Sequence, residues 1–192
     1  MGCFGREEHV LNSIEERARG LGIELAGEAP PVAQGYQPAF APYAFSSGEL
    51  IHLSGRLAKK DGALLIGKVG AEISLEAAKV AAREIAIELL SVLKQATGDL
   101  DRVQRIVRLL VMVNGAPGFN EPHRVADGAS ELFAEVFGAG GAHARSAMVA
   151  AELPFGAAVE IDLVAEIHSQ ASGPDHSPIS GAFAKDPQGR SQ

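Results

Sequence analysis

Apolar positions along the chain recur with two periods, and the switch between them divides it into elements. From Ser74 to Ala96 the period is helical: Ala78, Ala81, Ile85, Leu89, Val92 and Ala96 form one stripe, widened by Leu93. Ser74 stands at the N-cap position, and Thr97-Gly98-Asp99 ends the run. A second helix is expected after Asn120 as cap, with Pro122 in its first turn. It runs to Phe137, stops at Gly138 and turns Val125, Leu132, Phe133, Val136 and Phe137 to the core. Gly128 inside it costs about 1 kcal/mol against alanine, so a close packing or backbone reason is expected there. A shorter helix is expected within residues 6–20, with Val10, Leu11, Ile14 and Ala18 on one side and Gly20 as its stop.

Elsewhere the period is two. Val159 to His168 alternates apolar and polar residues over ten positions. Arg102 to Asn114 is apolar on both sides, with Val103, Val107, Leu109, Val111 and Val113 on one face and Ile106, Leu110 and Met112 on the other. Tyr43–Phe45 and Glu49–Leu53 are expected to pair across Ser46-Ser47-Gly48, and Leu64–Ile66 to form a short strand after a polar turn at Lys59–Gly62. The segment from Ala144 and the strand from Val159, parted by Leu153-Pro154-Phe155-Gly156, are expected to form a hairpin bringing Arg145 towards Glu160.

Strands in runs with two long helices predict an α+β domain with both helices on one face of the sheet. Two helices cover one face only, while the Arg102–Asn114 strand is apolar on both. A second copy of the chain is the expected cover, which predicts a homo-oligomer. The expected division is a helix-and-loop extension over 1–35, a domain over 36–168, and a flexible tail over 169–192 whose Ser, Gly and Pro content lacks periodicity, with a Gly- and Pro-rich surface loop, Gly27–Pro42, across the first boundary.

Composition narrows the function classes. The 192 residues carry a formal net charge of −7, and Trp is absent. Arg102, Arg105 and Arg108 suit neither a recognition helix nor a repeated strand face, which argues against a nucleic-acid partner. The single cysteine, Cys3, excludes an intrachain disulfide. Arg6 breaks a myristoylation pattern, no apolar leader precedes Cys3, and no run approaches the ~20 apolar residues of a membrane span. A cytoplasmic location without membrane contact is the expectation. The histidines, His9, His52, His123, His143, His168 and His176, lack metal-ligand spacing, so no metal or other cofactor is expected.

Arg145 leads an otherwise small, apolar segment. Its guanidinium suits a carboxylate, but spacing alone favours an arginine at an exposed strand end, in solvent or in an ordinary salt bridge. Glu160 shares the polar face of its strand with Asp162 and Glu166; the residues alone leave open a water-activating acid or a solvated one. His143 lies two positions before Arg145.

Three blocks give these residues a context: Gly48–Arg56 (GELIHLSGR), Asp99–Val107 (DLDRVQRIV), and Ala144–Pro154 (ARSAMVAAELP) running into Val159–Asp162 (VEID). Over residues 36–168 the chain resembles the Rid/YjgF superfamily of reactive-intermediate (enamine/imine) deaminases, often labelled endoribonuclease L-PSP or translation inhibitor. Asp127–Glu131 and Val136–Arg145 resemble a YjgF-like subgroup rather than the best-studied deaminase branch. The resemblance implies a chorismate-mutase-like mixed sheet assembled as a homotrimer, with clefts between subunits that take a small carboxylate-bearing metabolite. It implies that Arg145 grips the carboxylate, Glu160 positions the hydrolytic water, and the Ser54-Gly55 backbone lines the cleft. The implied activity is metal-free hydrolysis of 2-enamino or 2-imino acids to 2-keto acid and ammonia; the alternatives are a non-catalytic metabolite-binding trimer and an endoribonuclease. Three positions depart from the deaminase branch. Ala41, flanked by Phe40 and Tyr43, falls where that branch has tyrosine; Ala147 replaces its cysteine and Asp127 its helix asparagine.

Overall fold

The computed structural model describes residues 13–28, 30–46 and 48–168. The expected Val10 and Leu11 positions of the first helix and the expected tail lie outside these residues. The elements are α1 (Ile14–Gly20), β1 (Tyr43–Ser46), β2 (Leu50–Leu57), β3 (Lys59–Lys60), β4 (Ala63–Leu64), α2 (Leu75–Thr97), β5 (Val103–Asn114), α3 (Pro122–Phe137), β6 (Ala144–Ala150) and β7 (Val159–Ile167).

The fold is α+β, built on a mixed sheet of order β1-β2-β7-β5-β6, in which only β6 runs parallel to its neighbour β5. β3 and β4 pair separately, so the expected polar turn is itself a tight hairpin turning at Asp61-Gly62. Helices α2 and α3 lie on one face. α2 begins where Ser74 Oγ accepts from the Ala77 amide and ends at Gly98 in a left-handed cap. Asn120 does not cap α3: Glu121 takes that position without a side-chain bond, and Pro122 opens the helix. The reason for Gly128 is close approach, because a Cβ there would lie 2.0 Å from the Lys79 carbonyl oxygen of α2. α1 starts with a reciprocal capping box between Ser13 and Glu16, and Ile14, Ala18 and Ile23 join the same core as the sheet and long helices.

The core face of β7 is Val159, Ile161, Leu163, Ala165 and Ile167, all buried, with the intervening residues half-buried. The expected parity of β5 is corrected near its start. Register shifts between Val103 and Arg105 and between Ile106 and Arg108 put Ile106 into the core, while Val107 is only half-buried. Each bulge adds a residue and thereby flips the following side chains across the sheet. The opposite face carries Arg108, Leu110 and Met112 of β5, Met148 of β6, and Glu160, Asp162 and Glu166 of β7. No helix packs on that face among the described residues.

The expected hairpin of β6 and β7 does not form. β5 lies between them, pairing parallel with β6 and antiparallel with β7. Residues 151–158 are too many for a tight hairpin loop and instead carry the chain past the end of β5, where the Asn114 amide donates to the Ala158 carbonyl at 2.9 Å.

Candidate functional site

The register of the sheet places Arg145 and Glu160 on opposite faces. Arg145 pairs with core-facing Leu109, whereas Glu160 pairs with Met112 on the face without helices. The two residues therefore belong to different local settings within one chain.

Glu160 is half-buried at the floor of a cavity of about 390 Å³. β2 bulges beside it, between Leu53 and Arg56, which brings Ser54-Gly55 against its side chain. A Cβ on residue 55 would stand 2.2 Å from Glu160 Oε1, so only glycine leaves room for the carboxyl group. Burial pushes the Glu160 carboxyl above the ordinary carboxylate range, and the charge of Asp162 adds to the rise. Asp162 is itself raised by burial, a shift opposed by Arg108, by the Leu110 amide and by His52. An acid so tuned exchanges a proton closer to neutrality than a solvated glutamate.

The remaining walls were missed in the sequence. Val32, Tyr36 and Phe40 come from the Gly- and Pro-rich loop, Leu57 from β2, and Pro154 and Phe155 from the turn before β7. The loop lies on the surface as expected, with Ala33 buried, and its inner side forms one wall of the cavity. Aromatic residues in such a loop, in a chain with only 5% aromatics, were the available signal. At the position compared with the family tyrosine, the Ala41 carbonyl accepts from Ser54 Oγ at 2.7 Å; Phe40 lines the cavity and Tyr43 packs on the core.

Arg145 reaches α3 instead. Its Nη1 donates to Asp127 Oδ1 at 2.9 Å and to Ser130 Oγ at 3.0 Å, and its Nη2 to the His123 carbonyl at 3.2 Å. The pair with Asp127 is partly solvated, with side-chain exposures of 24% for the arginine and 42% for the aspartate. Asp127 thus faces the arginine and offsets its charge. His143 Nε2 lies 3.0 Å from Ser130 Oγ, and its Nδ1 lies 2.6 Å from the Gly141 carbonyl. Because that carbonyl only accepts, Nδ1 carries the proton and neutral Nε2 accepts from Ser130. Burial lowers the His143 pKa; the Gly141 bond opposes this and the nearby Arg145 charge reinforces it. Ala147 shares the Arg145 face and packs against the core, opposite Val111. The structure thus gathers Ser54, Gly55 and Glu160 in one place, and Arg145, Asp127 and His143 in another. Among the described residues, no group of three or more His, Cys, Asp or Glu side chains is arranged to hold a metal ion, and no helix is long and apolar enough to cross a membrane.

Known proteins share this architecture. The family model described as "YjgF/chorismate_mutase-like, putative endoribonuclease" matches residues 16–167. Protein TCP17 of Trypanosoma cruzi is 43% identical over 151 residues, covering 78% of this chain and 91% of that protein. The crystal structure of Atu1372 from Agrobacterium tumefaciens, described as of unknown function, is 39% identical with a TM-score of 0.69, over 81% of this chain and 92% of that one. A crystal structure from Shewanella oneidensis, described as "a putative endoribonuclease", is 29% identical with a TM-score of 0.72, over 81% of this chain and 100% of that one. With the family match spanning most of the chain, and with the mixed sheet and its two covering helices, the protein belongs to the YjgF/chorismate-mutase-like, or Rid/YjgF, family.

Proposed function

We propose that the protein is a hydrolytic deaminase of reactive 2-enamino and 2-imino acids, working as a homotrimer in which Arg145 of one subunit serves the Glu160 cavity of its neighbour. The observation that carries this reading is the separation just described. A half-buried acid with a raised pKa lines a cavity to which no Lys, Arg or His among the described residues contributes, while the arginine suited to a carboxylate sits on the opposite face of an edge strand. A cleft between two copies would supply both to one substrate. The open sheet face and the free edge of β6 give such copies a place to meet.

The chemistry follows from those two groups. Arg145 holds the substrate carboxylate and leaves the C=N carbon facing Glu160. Ionised Glu160 accepts a proton from water as the water oxygen bonds to that carbon and the C=N π electrons pass to nitrogen. Glu160 returns the proton to nitrogen, giving the carbinolamine; it then carries the hydroxyl proton to nitrogen as an oxygen lone pair forms C=O and the C–N bond breaks, and the 2-keto acid and ammonia leave. Imines are reactive in water, so positioning and one well-tuned acid suffice. The test is ammonia release from freshly generated 2-iminopropionate. Arg145→Ala and Glu160→Gln are each expected to lower the enzyme-dependent rate by about 10²-fold or more; unchanged rates in Arg145→Ala would overturn the assignment.

The Asp127 partner of Arg145 favours a second reading, a metabolite-binding trimer without turnover. Thermal stabilisation by 2-keto acids with no enzyme-dependent ammonia release would select it. Endoribonuclease activity, the description carried by the Shewanella protein, fits less well with a net charge of −7. RNA cleavage lost in Arg145→Ala would reverse that ranking.

A further inference from the structure

We infer that the Glu160 cavity selects substrates with a large apolar side chain, aromatic or branched aliphatic, and that the loop over residues 30–42 together with Phe155 sets this preference. The inference rests on the reading of that cavity as the place where the C=N carbon meets Glu160. The chain has eight Phe and two Tyr. Three of these, Tyr36, Phe40 and Phe155, line this one cavity while staying substantially exposed. Tyr36 and Phe155 meet edge to face at 5.4 Å. Apart from the Glu160 carboxyl, the Tyr36 phenol and Ser54, whose hydroxyl is given to the Ala41 carbonyl, the lining side chains among the described residues are apolar. A charged substituent would be desolvated there without a partner, and an acidic one would also face Glu160. A methyl group would leave most of about 390 Å³ unfilled and forgo the dispersion contacts the rings offer.

The wall is held in place at a cost, which separates it from an incidental loop. Arg56, only 2% exposed, donates to the Pro30 carbonyl and pairs with Glu88 at 3.3 Å. Lys59 donates to the Pro31 carbonyl at 2.8 Å and to the same Glu88 at 2.9 Å. At the far end the Ser54 amide donates to the Pro42 carbonyl at 3.0 Å. Burying these charges carries a desolvation penalty, and what they secure is the segment bearing Val32, Tyr36 and Phe40. Opposite, Phe155 adopts a left-handed backbone at φ 59°, unfavourable for any residue with a Cβ. The Ile66–Ala157 bridge and the bond from the Gly67 amide to the Gly156 carbonyl at 3.1 Å pin that turn. Strain retained beside a cavity is a mark of a built site.

The experiment is calorimetric titration of the full chain with pyruvate, 4-methyl-2-oxopentanoate and phenylpyruvate, alongside hydrolysis of the imines that an amino-acid oxidase makes from alanine, leucine and phenylalanine. The two larger acids are expected to bind about ten-fold or more tightly than pyruvate. Tyr36→Ala/Phe155→Ala should erase that difference, so that all three acids bind the variant about equally; both side chains are exposed, so folding should survive, and Phe40→Ala alone should shrink the preference. Equal affinities, no binding of any acid, or a preference that survives the double substitution would overturn the inference. The two readings separate cleanly. Tight phenylpyruvate binding without imine hydrolysis sinks the deaminase and leaves the selectivity standing. Equal hydrolysis of all three imines does the reverse.

Discussion

A single side chain decides how strongly Arg145 can hold an anion. Asp127 takes one guanidinium nitrogen at 2.9 Å, so a substrate carboxylate must share the arginine with an internal one. Asp127→Asn keeps a hydrogen-bonding oxygen and removes the competing charge. Because the pair is partly solvated, the gain is modest, about 1 kcal/mol or five-fold tighter binding of a 2-keto acid; titration of both forms reads it. Gly55 is the counterpart at Glu160. Gly55→Ala places a methyl where Glu160 Oε1 now lies, 2.2 Å away, and must displace the carboxyl. A shift of that size is expected to lower kcat/KM by about 10²-fold with the fold intact by circular dichroism. Glu160 also makes a statement about pH. Its folded pKa is raised, so the protonated form is favoured by folding. That contribution is full below the unfolded carboxylate pKa and is lost as pH rises through the folded one. Tm measured against pH should therefore fall less steeply across that window in Glu160→Gln than in the parent.

Among the elements, the α2–α3 contact is the most demanding. Helix propensity alone says that alanine at position 128 should stabilise α3 by about 1 kcal/mol. Contact says the opposite, since the new Cβ would sit 2.0 Å from the Lys79 carbonyl and force the helices apart. Overpacking outweighs propensity, and Gly128→Ala is expected to lower stability by about 1–3 kcal/mol in urea unfolding. The glycine was visible in the sequence as an anomaly in a good helix, while its partner, Lys79 on α2, was not. The strands show the same divide. Alternation in β7 was legible over its whole length, because each side chain's face follows from its neighbours. β5 was legible as a strand, but Ile106 and Val107 exchange roles, because bulges arise from pairing with β7 rather than from β5 itself.

At the scale of the whole molecule, the proposed trimer makes a quantitative claim. If each cleft takes Arg145 from one subunit and Glu160 from the next, Arg145→Ala and Glu160→Ala chains are each inactive alone. Unfolded together and refolded as mixed assemblies, they should regain activity at about a quarter of the clefts by random assortment in a closed ring. No recovery, with mixed trimers verified by mass, would place both groups in one chain's site or rule out a shared one. Light scattering of the parent chain at three times the monomer mass is the accompanying expectation, and Met112→Asp on the open sheet face should weaken the assembly.

What the chain determined by itself was local. The helices α2 and α3, the stop at Gly98, the alternation of β7 and an apolar face left without a cover all follow from period, propensity and capping, which act within a few residues. The resemblance of Ser54-Gly55, Arg145 and Glu160 to a family pattern was likewise legible as sequence. Only the tertiary structure decided that β5 parts β6 from β7, which sends Arg145 to the helix side beside Asp127 and Glu160 to the open side. It alone made the loop over residues 30–42 a wall facing Glu160, through Arg56, Lys59 and Glu88. Strand order, bulges and buried ion pairs are contracts between residues far apart in the chain, and no local pattern encodes them.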